Sequence, residues 1–265
     1  MPVSSRQAFA IDSWGRTLRR GAASWWFMLH FLAIVLVMAL SPSTYNRTSR
    51  ATTSQHIYAS TWQVLPWFTA LTALLSLVLI RVVVVTALSY GLSQYALQMV
   101  VRVLVLELIP LSAALFVALR AGLTVNVVAP ATTGTAGAPS AALDMVNLRH
   151  ELVPRVLANV FTVLALATVS SVIALVLAYL AVYGLSPWGL PGYTRTVGQV
   201  FDPAVTLGFG LKTVFFSLAV AVVPLAASLE ATRQATSADS LQPGAVRLFL
   251  VLLLIEATSL VIKYI

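Results

Sequence analysis

Long uninterrupted apolar segments constrain the fold of this chain more than any other feature. Of its 265 residues, 59% are hydrophobic and only 9% are charged, whereas soluble domains carry about 25% charged residues. Several segments approach or exceed the roughly 20 residues that a helix needs to cross the hydrocarbon core. They are rich in Leu, Val and Ala and lack the alternation of polar and apolar residues typical of a membrane barrel. The sequence therefore predicts an all-α membrane protein.

Six apolar segments follow one another along the chain. The first comprises residues 21–40 and follows a basic stretch, residues 1–20. The later five are predicted to span the membrane as helices: 67–90, 95–128 (interrupted by Pro110), 156–183, 204–229 and 247–265. A polar loop with Arg47 and Arg50 precedes them, and a loop rich in Gly, Pro and Trp covers residues 183–203. We expect one domain, residues 1–265, whose transmembrane bundle is residues 67–265.

The distribution of basic residues predicts the orientation of the segments. If residues 21–40 lie in the interface as an elbow helix and the five later segments span, most arginines fall on one side of the membrane. They are Arg6, Arg16, Arg19, Arg20, Arg47, Arg50, Arg120, Arg149, Arg155, Arg233 and Arg247. Only Arg195 and Lys263 fall on the other side, whereas the asymmetry disappears if residues 21–40 span. We therefore expect an interfacial elbow, a cytoplasmic N-terminus and a periplasmic C-terminus.

Six charged residues lie at membrane depth in this arrangement. They are Arg81, Arg102, Glu107, Arg120, Lys212 and Glu256. Such residues usually pair or line a wet cavity, because a charge in the hydrocarbon costs about 2.5–3.5 kcal/mol. Arg120 is close enough to a helix end to extend its side chain to the interface. Glu107 lies five residues from Arg102 and is also placed to face Arg81 on the preceding span. Lys212 and Glu256 lie at similar depth on antiparallel neighbours, which predicts an ion pair. Structural ion pairs and a polar substrate route both remain open.

The segment around Pro110 resembles the signature of a known family. Glu107-Leu108-Ile109-Pro110, followed after nine residues by Arg120-Ala121-Gly122, is similar to the E-L-G-P and R-x-G motifs of the MlaE/YrbE permease family. Leu152 to Ala158, which includes Pro154 and Arg155, resembles the L-V-x-P-R-x-L-A stretch of that family. Leu211-Lys212-Thr213 resembles its I-K-S motif, and Glu256 stands where its last helix has an acidic residue.

The resemblance implies a fold and a function. These permeases have an interfacial elbow and five transmembrane helices, with a cytoplasmic coupling segment after the second. They act as homodimers in the bacterial inner membrane, together with an ATP-binding-cassette ATPase and a periplasmic MCE-domain protein. The implied substrate is phospholipid, which enters an outward-open pocket. Arg81 and Arg102 are candidate contacts for its phosphate, since guanidinium groups bind phosphate well.

The coupling segment departs from the family pattern. Its counterpart here is residues 123–153, in which Asp144, Arg149 and Glu151 are the candidate contacts to the ATPase. The acidic T-E-Q-like motif and the G-x-D-P turn of the family are absent, and the Gly of E-L-G-P is replaced by Ile109. These differences leave open a second function, in which the chain is a membrane scaffold that recruits partners without transporting lipid.

Other functions fit the sequence less well. An ion-coupled carrier of small solutes would use the buried charges, but such carriers often show internal repeats, and none is visible here. An enzyme is disfavoured, because no nucleophile motif and no metal-ligand helix motif occurs. With no Cys and three scattered His, we expect no metal and no cofactor. The net charge of +8 is explained by arginines beside the membrane, so that no nucleic acid partner is needed.

Overall fold

The computed structural model describes residues 47–128, 141–234 and 243–264, together with the single positions 26, 30, 33 and 37. These ranges are helical throughout, apart from short connections. The elements in chain order are α1 (Arg47–Ser89), α2 (Ser93–Val100), a π-helical segment (Val101–Leu108), α3 (Ile109–Val128), α4 (Ala141–Tyr183), a 3-10 turn (Pro187–Gly189), α5 (Leu190–Val200), α6 (Pro203–Gln234) and α7 (Pro243–Tyr264). The predicted elbow lies outside the described residues except at the four single positions, which are helical.

Five helical stretches of the described residues are long and apolar enough to cross a membrane. They are Val64–Ser89, Tyr95–Ala121, Val156–Tyr183, Pro203–Ala227 and Gly244–Lys263. The second of them is continuous from α2 through the π-helical segment into α3. The prediction of an all-α membrane protein with five spans is therefore confirmed, and each span begins within three residues of the predicted position.

Two helices continue well beyond the apolar stretches. Helix α1 begins at Arg47, although its span begins at Val64, so the prediction of a polar loop at Arg47 and Arg50 is wrong. Helix α4 begins at Ala141, fifteen residues before its span, which is about 22 Å at 1.5 Å per residue. Since both extensions precede odd-numbered spans, they project from the same end of the bundle.

Glycines end two of the spanning helices. Gly91 follows α1 with a φ of 71°, and Gly184 follows α4 with a φ of 67°. A side chain is strained at such angles, whereas glycine adopts them readily. The Leu92 N–H donates to Ala87 O at 2.8 Å across the first of these turns, a bond typical of helix C-termini. The two turns thus reverse the chain at the end of the bundle opposite the two extensions.

Small residues allow the spans to pack closely. Helix α4 packs most extensively on α1 and also on α6, which in turn packs on α7 and α3. Ala113 and Ala114 on α3, Ala167 on α4 and Val220 on α6 are completely buried in one shared cluster. Association of helices in lipid depends on such close contact, because lipid tails are as apolar as the side chains. Thr61 and Thr162 add a hydrogen bond of 3.0 Å between α1 and α4.

The connection between the third and fourth spans contains a helix. The prediction of a loop over residues 183–203 is wrong, because α5 occupies residues 190–200. Tyr193 fixes α5 to α4, because its hydroxyl donates to Leu175 O at 2.8 Å and its ring lies edge-on to Tyr179, with 5.1 Å between the centroids. Burial raises the pKa of the Tyr193 phenol above its ordinary value, which favours the protonated hydroxyl that donates this bond.

Replacing Tyr193 with phenylalanine is expected to lower the free energy of unfolding by about 0.5–1.5 kcal/mol, because the hydrogen bond from α5 to Leu175 O is lost while the ring contacts remain. Chemical unfolding of the purified protein in detergent measures the change. Tyr90→Phe is the matched control, since Tyr90 is 76% exposed and its loss of a hydroxyl should change little. Equal stability of the two variants would contradict the role assigned to Tyr193.

Candidate functional site

A π-helical segment in the second span places a carboxylate inside the bundle. Glu107 lies near the end of this segment, three residues before Pro110. Proline has no N–H to donate to a carbonyl of the preceding turn, and the carbonyl four residues earlier belongs to Leu106. π-helical turns are rare and occur often at functional sites. The predicted interruption of the span at Pro110 therefore takes the form of a π-helical segment with a partly buried glutamate.

Lys212 on α6 lies at the centre of the charged residues. Its side chain is only 3% exposed, and a buried ammonium requires close anionic or carbonyl partners. Nζ contacts Glu107 Oε2, lies 2.7 Å from Glu256 Oε2 and donates to Leu106 O at 3.5 Å. It also lies 5.7 Å from the ring centroid of Phe216. One lysine thus joins carboxylates from the second and fifth spans.

A second lysine completes the group of charges. Lys263, on the last turns of α7, places Nζ 2.8 Å from Glu107 Oε1. Each carboxylate oxygen of Glu107 therefore faces a different ammonium. We name Glu107, Lys212, Glu256 and Lys263 the charge cluster. Its formal charge is zero, since it contains two lysines and two glutamates, and it connects α6 and α7 to the π-helical segment.

The charge cluster borders a cavity of about 530 Å³. The cavity lies between the first half of α6 and the second half of α7, towards the end of the bundle that carries α5 and the C-terminus. Most of its wall is apolar, and Glu107, Lys212 and Lys263 form its charged part. Its other lining residues are Leu106, Ala204, Val205, Gly208, Phe209, Leu211, Phe215, Leu254, Ile255, Thr258, Ser259 and Ile262. The cavity suits a mostly apolar molecule with a polar end.

The structure agrees with one sequence-based pairing and contradicts another. The predicted ion pair between Lys212 and Glu256 is present. The expectation that Glu107 faces Arg81 is wrong, because its oxygens contact Lys212 and Lys263. Helix α3, which begins two residues after Glu107, packs more extensively on α6, the helix of Lys212, than on α1, the helix of Arg81. Arg81 and Arg102 have exposed side chains and do not line the cavity.

The other residues of the family-like motif lie at the opposite end of the bundle. Arg120 is half-buried and lies next to the end of the second span. Gly122 follows it on α3, while Pro154 and Arg155 immediately precede the third span. Thirteen residues separate Glu107 from Arg120, which is about 20 Å along a helix. The motif residues therefore divide between the charge cluster and the end where α4 extends.

The predicted coupling residues lie on that extension. Asp144, Arg149 and Glu151 belong to the part of α4 that precedes its span. Residues 129–140, the remainder of the proposed segment between α3 and α4, lie outside the described residues. The described side chains do not include those of the three coupling residues, so their role in binding an ATPase stays a prediction.

Lys263 is the functional candidate that the sequence prediction missed. Its position near the C-terminus suggests a residue in the interface outside the spans. A signal is nevertheless present, because Glu256 and Lys263 are seven residues apart. Residues at that spacing lie two turns apart on one helix face, and Ser259, four residues before Lys263, shares the face. The sequence thus contains a polar stripe on an otherwise apolar last helix.

A comparison with protein-family models matches residues 53–262 to the permease MlaE family. This range includes the first four described spans completely, and the fifth up to the residue before Lys263, together with the rest of the charge cluster. The chain belongs to the MlaE permease family. No match was found among curated proteins or among solved structures. MlaE permeases are membrane subunits of ABC transporters that work with partner proteins, and the family membership identifies this chain as a transporter permease subunit.

Proposed function

We propose that this MlaE permease moves phospholipid between the bacterial inner membrane and a periplasmic MCE-domain partner. The observation that carries the proposal is the cavity between α6 and α7, which combines apolar walls with one charged border. Ligand pockets usually have volumes of about 300–1,000 Å³, and the 530 Å³ of this cavity lies within that range. The acyl chains of a phospholipid match the apolar walls, and its charged headgroup matches the charged border.

The proposed orientation places the cavity on the periplasmic side. The end with the α1 and α4 extensions also carries Arg47, Arg120, Arg155 and Arg247, whereas the end with α5 carries Arg195. Basic residues concentrate on cytoplasmic ends of membrane proteins. The cavity then opens towards the outer leaflet and an MCE partner, with the N-terminus cytoplasmic and the C-terminus periplasmic. Single-cysteine labelling tests this orientation directly, since the chain contains no Cys.

The proposed energy source is a separate ATP-binding-cassette subunit. The extension of α4 reaches about 22 Å beyond the membrane span at 1.5 Å per residue. A helix of this length offers a docking surface for an ATPase on the cytoplasmic side. The chain itself would then perform no chemical step, and ATP hydrolysis would act on the bundle through this helix.

The proposed assembly is a homodimer. The last span is the least buried of the described spans, and it forms one wall of the cavity. Phe249, Leu250, Leu253 and Leu254 on α7 are all exposed in the single chain. A second copy packed beside α7 would enclose the cavity further and leave it open mainly along the membrane normal.

Purification from native membranes tests the proposed function. We expect phospholipid and an ATP-binding-cassette ATPase to co-purify with the chain, and ATP to drive transfer of fluorescent phospholipid from proteoliposomes to the MCE partner. Co-purification of the ATPase without lipid, and no ATP-dependent transfer, would contradict the proposal. That result would favour the scaffold function, which the altered coupling segment supports.

A further inference from the structure

The ion pair between Lys263 and Glu107 lies on the cavity wall. Both residues line the cavity, and their side chains are 18% and 15% exposed. Lys212 also lines the cavity but is only 3% exposed, so this pair is the more accessible charged part of the wall. Buried ion pairs lose much of their attraction to desolvation, so exchange of one partner for a ligand group of the same charge has a small net cost.

Lys212 is more deeply buried than Lys263. It is 3% exposed and has Glu107, Glu256 and Leu106 O as partners. Through this contact Lys212 keeps Oε2 of Glu107 in place when Oε1 changes partner. Glu107 therefore presents one fixed, charged oxygen to the cavity. The Lys263 side chain is the more exposed of the two lysines, at 18%.

Ser259 provides a hydroxyl next to Lys263. It lies four residues earlier on α7, which puts both side chains on one helix face, and both line the cavity. An ammonium and a hydroxyl on the same face are donors to phosphate oxygens. Phe215, Leu254 and Ile262 supply the apolar wall beside them. This arrangement places donors for a phosphate beside an acceptor for a cation.

We propose that the cavity selects phospholipids whose zwitterionic headgroup carries a primary amine, as in phosphatidylethanolamine. The inference rests on the proposed lipid transport. The headgroup phosphate pairs with Lys263 and Ser259, and its ammonium donates to Glu107 Oε1. Binding of the lipid thus replaces the ion pair between Lys263 and Glu107 with two ion pairs, one from each residue to the headgroup. An anionic lipid such as phosphatidylglycerol offers no cation to Glu107 and adds a net negative charge to a neutral cluster, which is costly at membrane depth.

Lipid binding to the purified full-length protein tests this selectivity. Native mass spectrometry compares phosphatidylethanolamine and phosphatidylglycerol with identical acyl chains. We expect a preference of about tenfold for phosphatidylethanolamine. No bound lipid of either kind would contradict the proposed function itself, whereas bound lipid without this preference would contradict the selectivity alone.

Two variants that each remove one negative charge distinguish the proposed exchange of ion pairs from an effect of net charge on lipid binding. Glu107→Gln removes the acceptor for the ammonium, and we expect phosphatidylglycerol to bind better than phosphatidylethanolamine. Asp202→Asn removes an exposed carboxylate that belongs neither to the charge cluster nor to the cavity wall, and we expect the preference for phosphatidylethanolamine to remain. Equal inversion in both variants would overturn the proposed contacts.

Lys263 variants provide a second measurement in case Glu107→Gln does not fold. Lys263→Met is expected to weaken binding of both lipids by about tenfold, because the phosphate loses its cation. Lys263→Arg keeps the charge and should restore binding. Unchanged affinity of Lys263→Met would overturn the assignment of the phosphate to this residue.

Discussion

Replacing Gly208 with phenylalanine is expected to abolish phospholipid transport by this MlaE permease while the protein still folds. Gly208 lines the cavity on α6, and no atom lies within 4 Å of the position that a Cβ would take. A benzyl group there therefore enters the cavity without a clash at its base and occupies the space proposed for the acyl chains. Gly within a helix costs about 0.5–1 kcal/mol relative to Ala, so the substitution should not lower the stability of the helix. ATP-dependent transfer of fluorescent phospholipid from proteoliposomes measures the loss.

Gly210 supplies a matched control for this experiment. It lies two residues further along α6, has equally open space where a Cβ would be added, and does not line the cavity. Gly210→Phe is expected to fold and to transport lipid at nearly the wild-type rate. Full transport by Gly208→Phe would show that lipid does not pass through this cavity.

Replacing Lys212 with methionine is expected to lower the free energy of unfolding by about 3–5 kcal/mol, the usual result of removing one partner from a buried ion pair. Glu256 loses its cation, and Glu107 keeps only Lys263 among the contacts described above. Two carboxylates then lie close together in a region of low dielectric. Thermal unfolding of the purified protein in detergent, together with its yield in membranes, measures the effect.

The double variant Lys212→Met with Glu256→Gln tests the cause of that loss. Removing the second charge leaves Glu107 paired with Lys263, so we expect recovery of at least half of the lost stability. Arg195→Met is the control for loss of a cation, because Arg195 is exposed on α5. A double variant no more stable than Lys212→Met alone would show that the two residues do not stabilise each other.

The spans could be predicted from the sequence because the hydrocarbon core imposes one requirement on every residue that crosses it. Apolar content within about 20 residues is therefore sufficient to locate each helix. The extension of α1 to Arg47 carries no such signal, because a polar helix outside the membrane differs little in composition from a loop. Helix α5 could not be predicted because Pro191 and Gly192 are typical of loops. Its contact with α4 through Tyr193 is a tertiary interaction, which the local sequence does not indicate.

The charge cluster could be predicted in part. Lys212 and Glu256 lie on consecutive antiparallel spans, so their depths alone place them together. The partner of Glu107 depends on which helices are neighbours in the bundle, and that arrangement could not be predicted from the sequence. Helix α3 begins two residues after Glu107 and packs on α6, and Glu107 contacts Lys212 on α6 and Lys263 on α7.

Photo-crosslinking from the cavity wall tests the central claim most directly. Phe215 lines the cavity and is 48% exposed, while Phe249 on α7 is 55% exposed and lies outside it. Each is replaced in turn by benzoylphenylalanine, and the protein is purified in detergent before illumination. A phospholipid adduct at position 215 that is absent at position 249, and that disappears when Gly208 is also replaced by phenylalanine, is the predicted result. Equal adducts at both positions, or none at 215, would contradict a lipid-binding cavity between α6 and α7.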